Sequence, residues 1–187
     1  MKKFTLTDEE KKTLLELARK SIENKLMGQK DPELQNPTEN LKEETGAFVT
    51  LKKRGELRGC IGYIKGIKPL WKAVIDLAKE SAFHDPRFHP VRSEEINDLE
   101  VEISVLTPLE QIHDISEIEV GRHGLLIKRG FLQGLLLPQV AREENWDLHT
   151  FLDHTCLKAG LYPGCWKDDK TEIYAFEALV FSERELK

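Results

Sequence analysis

The chain is expected to be α+β, with antiparallel hairpins flanked by helices and one hairpin-helix-strand unit present twice. Three observations carry this reading. Residues 99–106, Leu-Glu-Val-Glu-Ile-Ser-Val-Leu, alternate as a half-buried strand does. Residues 7–28 carry apolar side chains at helical spacing. An ungapped alignment at an offset of 75 matches the window 46–106 to 121–181 with eleven identities, where average residue usage would give about four.

In chain order, Thr7 and Glu10 form a capping box that opens the first helix. Leu14, Ala18, Ile22 and Leu26 make its apolar stripe, and Gly28 suits its end. Residues 29–45 lack a period, contain Pro32 and Pro37, and read as a surface connection. Gly46 to Gly62 reads as a hairpin, because β-favouring Phe48-Val49-Thr50 precede the turn signal Arg54-Gly55. Pro69 suits the first turn of a helix with Leu70, Val74, Leu77 and Ala78 on its core face. That helix must end near His84, since Asp85 precedes Pro86. Asp85-Pro86-Arg87-Phe88 suits a tight turn with Asp first and Pro second.

The chain has 187 residues, 40% hydrophobic and 33% charged. A core is affordable without metal or disulfide at this length. No apolar run approaches the ~18 residues of a membrane span. The first eight residues turn polar before a signal-peptide core could form. The cytoplasm is the expected compartment. Three scattered cysteines suggest no disulfide framework, and Cys156 and Cys165 read as packing residues. A net charge of −5 disfavours nucleic-acid binding over the whole surface.

The repeat serves as an internal control. Features shared by both halves, such as Gly55 with Gly130, Trp71 with Trp146 and Glu102 with Glu177, belong to the backbone plan. Arg58-Gly59-Cys60-Ile61-Gly62 differs from its counterpart Gln133-Gly134-Leu135-Leu136-Leu137. Strand alternation would put Arg58 and Cys60 on one face, roughly 7 Å apart. A guanidinium there would favour the thiolate. Gly59 and Gly62 would free the backbone for a ligand. Segment 52–72 adds seven basic residues against the single acid Glu56, which suits an anionic ligand. A buried core cysteine is the competing reading. His84 and His89 flank the Asp85 turn; His84 suits a helix C-terminus. His149 and His154 lie five apart on a helix, a poor spacing for shared metal ligation. No metal site is read.

Leu57-Arg58-Gly59-Cys60-Ile61-Gly62 is similar to the six-residue signature of the AMMECR-one family. Gly46 to Leu51, Asp85-Pro86-Arg87-Phe88, Glu102 to Leu106, and Leu137-Pro138-Gln139-Val140-Ala141 with Trp146 resemble the family's other motifs in order. His89 departs from the family, where proline more often follows the phenylalanine. The resemblance implies one domain over 1–187 with an internal repeat and two lobes. It implies that Arg58, Gly59, Cys60 and Gly62, with Asp85, Arg87 and Gln139, line a cleft. It also implies a pathway shared with a Memo-like protein and a radical-SAM protein, and names no cofactor. Two functions stay open. One is an enzyme or enzyme subunit with Cys60 as nucleophile or redox thiol and Arg58 as its partner. The other is a non-catalytic module that binds a partner protein or an anionic ligand. RNA binding through segment 52–72 is a third and weaker reading.

Overall fold

The computed structural model describes residues 4–186. Helix α1 spans Asp8–Leu26, and both capping-box bonds between Thr7 and Glu10 are present. Its stripe is buried: Leu14, Ala18 and Ile22 are almost wholly enclosed, each large one contributing roughly 1.5–3 kcal/mol. The connection after it is less featureless than its sequence suggests. A single helical turn, α2 (Glu39–Lys42), buries Leu41. Thr38 and Asn40 there donate to Glu10, so the carboxylate that caps α1 also ties down the connection.

Strands β1 (Ala47–Lys53) and β2 (Glu56–Tyr63) pair antiparallel around Arg54-Gly55. Both turn residues have positive φ, +53° and +84°, the two-residue pattern that matches strand twist. Helix α3 spans Leu70–Phe83, with Pro69 as its N-cap rather than inside its first turn and His84 at its C-cap. Leu70, Val74, Leu77 and Ala78 are fully buried. Strand β3 (Leu99–Leu106) follows a 3-10 segment, Ser93–Asp98, and pairs with β1. These elements and the chain's end, residues from Leu179 onward, form the first of two compact units. Its core lies between α1, α3 and the β2-β1-β3 sheet. Arg19 of α1 fastens that end: it donates to both oxygens of Glu183 and to the carbonyls of Ile96 and Leu99.

The second unit is Thr107–Ala178. It contains β4 (Glu110–Ile112), β5 (His123–Arg129), β6 (Leu132–Leu136), α4 (Pro138–Glu143), α5 (Leu148–Lys158) and most of β7 (Glu172–Ser182). β7 lies between β4 and β5, and β6 pairs with β5. The expected second helix is therefore two helices, broken where Asn145 takes φ +53° and Asp147 caps α5. Thr107 and Glu177 exchange two hydrogen bonds where the chain enters and leaves this unit.

The packing reading of Cys156 and Cys165 is corrected. They form a disulfide with Cα atoms 5.9 Å apart. The turn after α5 doubles the chain back beneath the helix, with Gly160 and Gly164 at positive φ, so nine residues of separation close into a short loop. Both sulfurs lie in the core of the unit. Among the described residues no helix is long and apolar enough to cross a membrane.

Candidate functional site

Hairpin β1–β2 carries a bulge. Leu51 faces Gly59 while Lys52 faces Leu57, so Arg58 is the extra residue. A bulge breaks strict alternation, and this corrects the expected Arg58–Cys60 pair. Cys60 turns to its cross-strand partner Thr50, whose Oγ1 lies 3.2 Å from Sγ. Arg58 turns instead to Glu95 in the 3-10 segment, donating from Nε and Nη2 at 3.1 Å each. Burial pushes the Cys60 pKa up, against weaker pulls from Thr50 and Arg87.

The glycines have local reasons. A Cβ on Gly59 would lie 2.1 Å from the Ser81 carbonyl oxygen, so α3 packs directly on the strand backbone. A Cβ on Gly62 would meet the Phe48 ring at 2.3 Å. The amides beside them are engaged. Ile61 N donates to Ser81 Oγ, which donates to the Val49 carbonyl and so bridges the ladder. Cys60 N donates to Asp85 Oδ2 at 2.9 Å.

Asp85 and Arg87 act as a short substitute strand at the outer edge of β2. Asp85 accepts from the Cys60 amide, and Arg87 Nη2 reaches the Cys60 carbonyl at 3.4 Å. Asp85 is buried and also accepts from Arg87 N, Nε and Nη2 at 3.1, 3.0 and 2.7 Å. The Arg87 guanidinium holds its carboxyl far below the usual range. The expected turn is present, closed by Phe88 N to the Asp85 carbonyl at 3.1 Å.

Glu95 is a second hub. It accepts both bonds from Arg58, one from Lys53 Nζ and one from the Arg92 amide. The Arg58 guanidinium chiefly lowers its pKa to about 2. Phe88 lies close to both arginines, its ring centre 5.9 Å from the Arg58 guanidinium carbon and 5.4 Å from that of Arg87. The result is a groove of about 810 Å³ whose walls include Lys53, Arg58, Arg87, Phe88, His89 and Arg92. Arg58 Nη1 is enclosed and has no partner.

Arg58, Arg87, Asp85 and Cys60 are thus brought into one neighbourhood. Gln139 is in the second unit, at the start of α4, with its Oε1 buried and unpartnered. Lys53, Phe88, Arg92 and Glu95 were missed as site residues. Only the basic run signalled Lys53; nothing in spacing marked Glu95. His84 bonds Glu80 at the end of α3, as a helix-terminal histidine does. His154 stacks on Trp146 and His149 packs on Trp166. Among the described residues no three His, Cys, Asp or Glu side chains are grouped to hold a metal ion.

The mixed α/β architecture recurs in a solved structure, and the chain is similar to known proteins over nearly its whole length. A protein of Methanothermobacter thermautotrophicus is 46% identical over 98% of this chain and 99% of its own length. One from Methanopyrus kandleri is 48% identical over 96% and 91%. The crystal structure of an uncharacterized protein from Pyrococcus horikoshii matches with a TM-score of 0.86 at 44% identity, over 95% of this chain and 93% of that one. The family model described as AMMECR1 matches residues 15–181. The chain belongs to the AMMECR1 family.

Proposed function

We propose that this protein is a binding module for a small anionic ligand, held in the groove beside Phe88, and that Cys60 performs no covalent chemistry. The observation that carries this reading is the pair of guanidiniums near one ring, Arg87 pinned by Asp85 and Arg58 by Glu95, which Lys53 shares. Pinning removes the entropy cost of ordering two long side chains, so binding energy is not spent on it. Asp85 takes the Nε–Nη2 edge of Arg87, whose side chain stays half exposed. Arg92 adds charge, whereas Lys53 is paired with Glu95, and Glu94 and Glu95 also line the groove. A nucleophilic thiol needs a thiolate and a neighbouring base, whereas Cys60 is partly buried beside a threonine hydroxyl. In a pathway with Memo-like and radical-SAM proteins, the chain would carry or present the ligand rather than transform it.

Titration calorimetry with inorganic phosphate and pyrophosphate tests this. Arg87→Ala and Arg92→Ala should each weaken binding about tenfold to a hundredfold, the value of one charge-assisted bond. Cys60→Ser should bind as the wild type does. Loss of binding in Cys60→Ser with Arg87→Ala unaffected, or no binding by the wild type, overturns the proposal.

We also propose that windows 46–106 and 121–181 descend from one duplicated unit. In support, Gly134 meets the backbone at the end of α5 as Gly59 meets α3. The hairpin registers differ. Gly59 faces Leu51, whereas Gly134 faces Ile127 rather than Leu126, and β5–β6 carries no bulge. Determining whether the two windows superpose in the Pyrococcus horikoshii crystal structure, helix included, tests this. Non-matching helix directions would defeat it.

A further inference from the structure

The two hairpins treat their outer edges differently. At β2, Asp85 and Arg87 occupy the outward amide and carbonyl of Cys60. At β6 no such cap exists. The turn Gly130-Phe131 has two residues, with Gly130 at φ +60°. The flanking residues Arg129 and Leu132 then form the bonded pair, so the main-chain groups of Gln133 and Leu135 point outward. Among the described residues nothing bonds to those outward groups. An open edge is a template for another strand.

Two further observations converge there. Seven large apolar side chains are exposed on the described surface, and four of them are Phe131, Leu132, Leu157 and Tyr162. Phe131 and Leu132 form the tip of this hairpin. Tyr162 lies against Arg129, the partner of Leu132. Gly134 seats on Lys158 and Ala159, next to Leu157. The segment from Phe131 to Ala141 also contains no charged residue. The devices that keep edges apart, charges within the strand or a capping side chain, are missing.

We infer that β6 is the interface of a symmetric homodimer, pairing antiparallel with β6 of a second copy about a twofold axis at Gly134. That register sets Gln133 opposite Leu135 of the other copy, so their outward amides and carbonyls bond reciprocally. It sets Leu132 opposite Leu136 and Phe131 opposite Leu137. No charge faces a like charge. A closed twofold contact uses both open edges and leaves none for further growth. The second copy is the occupant that the edge itself specifies, because the uncharged run is complementary to its own reverse.

Sedimentation velocity over a range of concentrations tests the dimer. The wild type should sediment as a dimer. Gln133→Pro removes one outward amide, and Phe131→Asp puts a carboxylate on a fully exposed tip that the fold does not use. Each should raise the dimer dissociation constant about tenfold or more, with the circular dichroism spectrum unchanged. Phe131→Asp keeps the test valid if Gln133→Pro fails to fold. A wild type that is monomeric throughout, including one whose edge accepts only a foreign peptide, overturns the inference. So does a dimer indifferent to Phe131→Asp.

Discussion

Asp85→Asn is the most informative single change, because the substitution preserves shape and removes only charge and one acceptor. Asp85 Oδ2 serves the Cys60 amide and Arg87 Nη2, while Oδ1 serves Arg87 N and Nε. An asparagine has one carbonyl and one NH2 group, so either orientation aims a donor at donors. If the carbonyl stays on Arg87, the buried Cys60 amide faces an NH2 group. Losing that bond and leaving its donor unsatisfied costs about 1–3 kcal/mol. Arg87 is half exposed and recovers much of its loss from water, which adds under about 1 kcal/mol. The expected total is about 1–4 kcal/mol. Urea unfolding reads the total, and hydrogen exchange at the Cys60 amide reads the local part, which should speed up at least tenfold. A change below about 0.5 kcal/mol, the scale of an ordinary surface substitution, with Cys60 protection intact, would refute the view that Asp85 caps this edge.

Three other outcomes follow from the geometry. Glu95 has its pKa lowered from 4.5 to about 2, so its contribution is complete above its unfolded pKa and is lost as pH falls through the folded value; thermal midpoints should show an acid step between these values that Glu95→Gln lacks. Gly59→Ala forces a Cβ against the Ser81 carbonyl and should cost about 2–4 kcal/mol by chemical denaturation, whereas Gly55→Ala, with open space around it and φ +84°, should cost about 1 kcal/mol. Reducing the Cys156–Cys165 bond, which closes a loop of nine residues' separation, should destabilise the second unit by about 2–3 kcal/mol; an unchanged melting curve with and without reductant would refute that value.

Where local chemistry governs, the sequence was readable. The Thr7–Glu10 box, the Arg54-Gly55 turn, the face of α3 and the bounds of β3 each depend on residues within a few positions. The misreadings share another cause. The bulge at Arg58 depends on which residue β1 presents across the ladder, and no period within β2 announces it. That single inserted residue moved Arg58 from Cys60 to Glu95 and with it the meaning of the signature. Glu95 comes from a 3-10 segment with no apolar rhythm. The disulfide depends on how the turn after α5 returns, which the residues between the two cysteines do not reveal.

The fastening of Arg19 to Glu183 has a consequence for biosynthesis. A ribosome delivers Glu183 long after α1, with the whole of Thr107–Ala178 between them. Until then Arg19 has the carbonyls of Ile96 and Leu99 as partners and lacks its carboxylate. The second unit has its entry and exit joined by Thr107 and Glu177, and can close as soon as it emerges, since domains fold as units during synthesis. The part of the chain made in the middle is the first free to finish. A chain cut anywhere before Glu183 leaves Arg19 of α1 without its counter-charge.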